Sequence, residues 1–386
     1  MRIRKKYLAY NLPYITKEEI NEVVDTLKSG WLTTGPKTKA FEEDFRRYIG
    51  SRYAVALSSC TAGLHLGLLA AGIGKDDEVI TTPYTFASTI LAILEVGAKP
   101  VFVDIREDTL NMDERQIEAK VTRKTKAILP VHFGGIACEM DTILKIAKKY
   151  KLFVLEDAAH AVGSEYGKVK VGNFGEITAF SFYATKNLTT GEGGMVVTNN
   201  GALAEKIRIL SLHGISKDSF KRYSKGGSWY YEVLEKGYKY NMMDMQAALG
   251  IWQLRKLDRM NRRRTEIAEQ YHSYFKDLDE VIVLPLPKRV KSSWHLYVLQ
   301  LDFGGLKINR DIFIEELKKR NIGTSVHFIP ITFHPYFQKV LSLKPDSFPV
   351  AAKIYRRVIS LPLYPSMRDA DVKYVASSVK DIIKKH

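Results

Sequence analysis

Between Tyr53 and Asn200 short apolar stretches alternate with amphipathic ones, and that alternation leaves few folds open. The apolar stretches are Tyr53 to Leu57, Glu78 to Thr82, Pro100 to Val103, Lys126 to Val131, Leu152 to Glu156, Ile177 to Phe182 and Met195 to Thr198. They have strand length and composition, while the segments between them begin helical patterns near Thr61, Thr85, Asp113 and Glu139. A strand–helix–strand repeat joins parallel strands by crossover helices. It predicts an α/β fold with a mostly parallel sheet covered on both faces. In such sheets ligands bind beyond the carboxyl ends of the strands, where loops and helix N-termini converge.

The flanks are helical. Thr16-Lys17-Glu18-Glu19 is a capping box, followed by Ile20, Val23, Val24 and Leu27 at helical spacing up to Gly30. A second helix carries Phe41, Phe45 and Tyr48 on one face and stops at Gly50. After a helix over 201–213, the polar and aromatic segment Gly214 to Tyr240 is too long for an idle loop. Met243 to about Phe275 then reads as one long helix. Beyond it, strands Trp294 to Asp302 and Thr324 to Phe328 and helices Asn309 to Arg320 and Arg368 to Lys384 give an α+β pattern. The expected division is a large domain over 1–245 and a bridging helix with a small C-terminal domain over 246–386.

The chain has 59 Lys+Arg against 43 Asp+Glu, a formal net charge of +16. The densest basic run, Arg255 to Arg264, lies within a helical pattern, where it is a solvated face. No zinc-finger spacing, RNA-binding aromatic signature or helix-turn-helix accompanies it, so an anionic small substrate accounts for the charge as well as nucleic acid does. No apolar run reaches the roughly 18 residues of a membrane span. The start lacks the apolar core of a signal peptide, and Cys60 and Cys138 form neither a disulfide framework nor a zinc site. These features point to the cytoplasm.

Three groups of residues carry chemistry. Ser58-Ser59-Cys60-Thr61-Ala62-Gly63 joins a strand to a helix N-terminus, which suits either a phosphate or an ordinary N-cap. Glu156-Asp157-Ala158-Ala159-His160 ends a buried strand. A carboxylate there needs a cation or strong donors, and a protonated pyridine nitrogen is one such partner; a helix cap and a core histidine are the plainer readings of Asp157 and His160. In Ser181 to Met195 a lone lysine, Lys186, sits among hydroxyls and Gly191, Gly193 and Gly194, which allow close approach to the backbone. A buried amine of depressed pKa can attack a carbonyl. Phosphate cradle, carboxylate and lysine together match the handles of pyridoxal 5′-phosphate (PLP).

The runs Ser58 to Leu69, Thr82 to Asp104, Pro130 to Gly135, Glu156 to Gly163, Ser181 to Thr198 and Gly237 to Gly250 resemble the DegT/DnrJ/EryC1/StrS family of PLP-dependent nucleotide-sugar aminotransferases. The resemblance implies fold type I, with a mostly parallel seven-stranded sheet, and a homodimer with active sites at the interface. It makes Lys186 the Schiff-base lysine, Asp157 the partner of the pyridine nitrogen and His160 the contact to the ring hydroxyl. It assigns Thr61, Ala62 and Ser181 to the phosphate, with Asn241 reaching it from the neighbouring subunit, and Phe86 to the ring face. Cys60 stands where many relatives have glycine and Met243 where many have threonine or serine. Lys186 argues against the family branch that dehydrates sugars, which has histidine there.

The implied reaction moves an amino group from an amino acid, L-glutamate by resemblance, to a keto-sugar, with pyridoxamine 5′-phosphate (PMP) between the half-reactions. His213 to Tyr231 and Gly323 to Phe337 resemble members that aminate C4 of UDP-linked 4-keto sugars, with Lys217, Lys221, Arg222 and Tyr223 toward the diphosphate and His327 toward the sugar or uridine. A dTDP-sugar or a C3 ketone is the close alternative; a PLP-binding or DNA-binding regulatory protein is the alternative of another class.

Overall fold

The computed structural model describes residues 3–216 and 229–386. Lys217, Lys221, Arg222 and Tyr223 lie outside the described residues. Eleven α-helices are described: α1 Lys17–Ser29, α2 Pro36–Ile49, α3 Cys60–Ala70, α4 Ala87–Glu95, α5 Met140–Tyr150, α6 Gly201–Ser211, α7 Asp244–Phe275, α8 Arg310–Lys319, α9 Pro335–Leu341, α10 Pro349–Tyr355 and α11 Asp369–Lys385. The strands are β1 Tyr53–Leu57, β2 Glu78–Thr81, β3 Lys99–Phe102, β4 Thr125–Ile128, β5 Phe153–Asp157, β6 Glu165–Tyr166, β7 Val169–Lys170, β8 Ile177–Ser181, β9 Gly194–Thr198, β10 Val281–Ile282, β11 Val290–Lys291, β12 Tyr297–Leu301 and β13 Val358–Leu361.

Seven strands form one sheet in the order β1-β9-β8-β5-β4-β2-β3. Only β9 runs against its neighbours, so the other six point the same way. Their carboxyl ends make one edge, and Gly194 at the start of β9 joins it by pairing with both Leu57 and Ser181. Strand side chains alternate between faces. Val154 and Phe180 therefore join a core with Phe41, Phe45, Ile146 and Leu257, while their neighbours Leu155 and Ala179 join another with Leu64, Ile93 and Ile207. Burial on both faces is why these strands read as continuous apolar runs rather than alternating ones.

A second sheet, β10-β12-β13, is antiparallel and packs under α8 and α11 through Leu299, Leu301, Phe313, Val375 and Val379. A short third sheet is β11-β6-β7. Helix α7, about 48 Å long at 1.5 Å per residue, gives Ile251, Leu254 and Leu257 to the first core and Ile267, Tyr271 and Phe275 to the second.

Three expectations need correction. No α-helix starts near Asp113: its carboxylate takes the Arg115 N–H and the side chains of Arg115 and Gln116, and these local bonds leave two 3₁₀ turns over Glu114–Gln116 and Glu118–Lys120. Thr324 to Phe328 is not a strand. Only Ser325 bridges Ser360, because the Tyr84 hydroxyl donates to the His327 carbonyl at 2.7 Å and His327 turns toward Ser360. The strand expected from Trp294 begins at Tyr297, since the preceding residues bond instead to Gly134 and Gly135. Helix α1 forms as expected, burying Glu19 and Thr26 while Ile20 and Leu27 are 56% and 51% exposed. The capping box itself forms, with Glu19 also accepting from Gln253 at 2.7 Å and pairing with Lys256 of α7.

Candidate active site

The carboxyl edge of the large sheet opens on a cleft of about 520 Å³ lined by the ends of β5 and β8 and the starts of α3 and α4, with His327 and Phe328 across from them. Asp157 is the last residue of β5. Backbone bonds from Asp157 N to Pro130 O and from His132 N to Asp157 O, at 2.9 and 3.0 Å, fix its position. Its carboxylate accepts from the Thr89 hydroxyl at 2.8 Å and from the Ala159 N–H at 3.1 Å. Burial pushes the carboxyl up, opposed by Thr89, the Ala159 N–H and the charges of Lys186 and His132. A cationic donor in the cleft would relieve that penalty.

Lys186 follows β8 in a turn closed by its own N–H donating to Tyr183 O at 2.9 Å, while Phe182 N donates to Gly193 O and Thr190 N to Phe182 O, both at 2.9 Å. The loop thus folds back on itself and presents Lys186 to the cleft, half-buried. Withdrawal from water drives its ammonium down to about 8, against the opposing influence of Cys60 and Asp157. Mild alkali therefore suffices to free its lone pair.

His160 receives the Gly134 N–H on Nδ1 at 3.2 Å, which leaves the ring proton on Nε2. Its ring stacks on Phe328 with centroids 5.4 Å apart, and burial holds it well below the ordinary histidine range. His327 lies at the cleft's edge with Nδ1 2.9 Å from Ser360 Oγ, and burial lowers it to about 4. Both imidazoles are neutral at physiological pH. Phe86, which alone would read as a core aromatic, is 63% exposed on the cleft wall.

The N-terminus of α3 meets the cleft at Ser59, Cys60 and Thr61. Ser59 is the N-cap and takes the Ala62 N–H at 3.0 Å, so the N–H groups of Cys60 and Thr61 open the helix without an intrahelical acceptor. Gly194 brings β9 against this cap: a Cβ there would lie 2.4 Å from Ser59 C and 2.5 Å from Ser59 O. The close approach its missing side chain permits is thus made by the chain's own backbone.

Of the residues expected at the site, Thr61, Phe86, Asp157, His160, Ser181, Lys186 and His327 line one cleft. Ala62 and Asn241 do not: Ala62 is buried with its N–H spent on Ser59, and Asn241 donates to Thr34 Oγ1 at 2.7 Å beside the end of β1. Thr89 and Phe328 were not singled out beforehand, while Ser59 and Cys60 were expected only as part of the run Ser58 to Gly63. Thr89 had a signal, since it lies four residues after Thr85 at a helix start and the two hydroxyls are 2.7 Å apart. Among the described residues no cluster of His, Cys, Asp and Glu could hold a metal ion, and no helix is long and apolar enough to cross a membrane.

The donor set fits PLP. Open N–H groups at a helix start suit a phosphate, a buried carboxylate suits a protonated ring nitrogen, and an amine of lowered pKa suits an aldehyde. A model of the DegT/DnrJ/EryC1/StrS aminotransferase family matches residues 13–380. The spore coat polysaccharide biosynthesis protein SpsC of Bacillus subtilis is 54% identical over 99% of this chain and 98% of its own. A Streptococcus pneumoniae protein solved in its PMP form is 35% identical, with a TM-score of 0.91 over 98% of this chain and 99% of that one. Helicobacter pylori PseC, an aminotransferase involved in the biosynthesis of pseudoaminic acid, is 34% identical with a TM-score of 0.90 over 99% and 100%.

Proposed function

Because this chain belongs to the DegT/DnrJ/EryC1/StrS family of PLP-dependent sugar aminotransferases, we propose that it aminates C4 of a UDP-linked 4-keto sugar with L-glutamate as donor. The observation that carries the reading is the cleft in which a lysine amine of lowered pKa and a buried carboxylate face one another's field beside an open helix N-terminus. Supporting it are the roles of relatives in polysaccharide and pseudoaminic acid biosynthesis.

Bound there, PLP supplies the electron sink that makes the donor's Cα–H acidic. Lys186 Nζ carries the proton from the donor's Cα, and in the return half-reaction delivers one to the sugar carbon that becomes the amine carbon. Asp157 holds the ring nitrogen protonated, and Thr89 keeps the carboxylate oriented for it. His160 donates from Nε2 to the ring oxygen, and Phe86 covers one ring face. Thr61, Ser181 and the open N–H groups of α3 take the phosphate, with Ala62 contributing through the Ser59 cap it supports. His327 meets the sugar, with Lys217, Arg222 and Tyr223 assigned to the diphosphate.

The active form in this reading is a cytoplasmic homodimer. Ile20, Val24 and Leu27 form an exposed apolar stripe on α1, of the kind a second copy covers, and Asn241 serves the neighbour's phosphate rather than its own chain's. The test is spectroscopic. The purified protein should show a visible cofactor band that bleaches on adding L-glutamate and returns on adding a UDP-4-keto sugar. A band that survives Lys186→Ala refutes the mechanism, and return with dTDP- but not UDP-sugars refutes the substrate.

A further inference from the structure

Lys186 sits between two residues that are both held from outside the large sheet. On one side the Thr185 carbonyl accepts from Asn11 Nδ2 at 3.1 Å. On the other, buried Asn187 makes three side-chain bonds: Nδ2 donates to Asn261 Oδ1 at 2.8 Å and to the Ser293 carbonyl at 2.7 Å, and Oδ1 lies 3.0 Å from His295 Nδ1. A backbone carbonyl can only accept, so the Ser293 contact fixes which end of the amide is nitrogen. Oδ1 must then accept from His295, which places the His295 proton on Nδ1.

His295 also faces the other cofactor-side histidine. Its ring centroid is 4.3 Å from that of His160, tilted by 42°. The segment around it reinforces the arrangement: Ser293 Oγ donates to the His160 carbonyl at 3.2 Å, Leu296 N to Gly134 O at 3.2 Å, and Gly134 N in turn to His160 Nδ1. Buried Arg264 of α7 donates to the Leu363 carbonyl at 2.8 Å and, more weakly, to the carbonyls of Trp294 and His295 at 3.4 Å. One short stretch, Ser292 to Leu296, thus fixes both the lysine turn and the His160 ring before running into β12.

We propose that Asn187 and His295 are paired positioning residues: the His295 Nδ1–H to Asn187 Oδ1 bond sets the place of Lys186 and, through the His295 ring, of His160. Neither touches the substrate. The inference rests on Lys186 and His160 facing the cofactor.

His295→Asn puts an amide N–H where Nδ1–H was, whereas His295→Phe keeps a ring and loses the donor. The holoenzymes are compared by kcat, KM for each substrate, the pH midpoint of the visible cofactor band, and thermal unfolding. We expect His295→Phe to lower kcat about tenfold to 100-fold, the range seen when an outer hydrogen-bond partner is removed, with KM changed less than about threefold, uniform binding being intact, and with the midpoint shifted. His295→Asn should recover most of the kcat and the wild-type midpoint. Asn187→Ala also removes the bonds to Asn261 and Ser293, so its effect on top of His295→Phe should be smaller than its effect alone but not zero, the shared bond being counted once.

Wild-type kcat and midpoint in His295→Phe, equal damage in His295→Asn, or additive losses in the double variant each overturn the proposal. So does a fall in cofactor content and Tm that accounts for the whole loss in His295→Phe. Lys186→Ala separates the failures: a visible band left unchanged by it sinks the role of Lys186 as the cofactor's partner, while a band altered there but untouched by His295→Phe sinks only the positioning role.

Discussion

Replacing Lys186 by methionine should stabilise the cofactor-free protein, and the gain should depend on pH in a way that packing alone cannot imitate. Methionine keeps the length of the side chain and removes the ammonium, whose withdrawal from water lowers its pKa from 10.5 to about 8. At about 1.4 kcal/mol per pH unit that difference is worth about 3 kcal/mol. The side chain is half-buried, so solvent screening trims the figure to roughly 1–3 kcal/mol. The sign follows from proton counting. Below about 8 both folded and unfolded chains hold the proton, and the fold bears the full penalty. Between about 8 and the unfolded value the unfolded chain holds more protons, so wild-type stability climbs with pH and the penalty fades. At about 2.1 cal/mol/K per residue, a chain this long should gain about 1–4 °C in Tm at pH 6.5. The advantage should fall to less than half of that at pH 9.5. Thermal unfolding of both proteins, stripped of cofactor, at the two pH values is the assay. A wild type as stable as the variant at pH 6.5, or a gap that does not shrink at pH 9.5, would refute the desolvation argument.

Thr89→Val preserves shape but takes one donor from the buried Asp157 carboxylate. A hydrogen bond to a charged group is worth about 1.5–3 kcal/mol, so cofactor affinity, followed by fluorescence titration, should weaken about tenfold or more, and unchanged affinity would contradict the role given to Thr89. Gly194→Ala puts a Cβ 2.4 Å from the Ser59 backbone, where no flexible side chain can yield, so the start of α3 must shift. The variant should purify with little cofactor even where it stays folded at 25 °C; full cofactor content would show that the cap is not part of the cradle. Ile20→Glu with Leu27→Glu places charge on the exposed stripe of α1 and should convert a dimer to monomer in sedimentation velocity, with loss of activity. A dimer that persists would move the interface elsewhere.

Most of the site was legible because its chemistry is written in contiguous runs. Asp157 and Ser181 close strands, Thr61 opens a helix, and His160 and Lys186 follow strand ends within a few residues, and a parallel sheet gathers such ends on one edge whatever the details of packing. Thr89 was within reach through its spacing from Thr85. The His295–Asn187 bond was not, since 108 residues separate its partners and no periodicity links them. Local patterns also misled where tertiary contacts outbid them. The Thr324 to Phe328 segment turns at the cleft because Tyr84 and Ser360 hold His327.

The amino-acid sequence by itself determined the layered α/β architecture and most of the side chains that meet in the cleft, because strand and helix periods and the residue types at their ends are local properties of the chain. Tertiary structure alone decided the state of those groups. The lysine acquires a pKa of about 8 only when the fold strips its water. Burial makes Asp157 a costly carboxylate and the Thr89 hydroxyl and Ala159 N–H offset part of that cost, and His160 keeps its proton on Nε2 only because Gly134, from another loop, occupies Nδ1. Desolvation and tautomer choice depend on which distant groups surround an atom, and that surrounding exists only once the chain has folded.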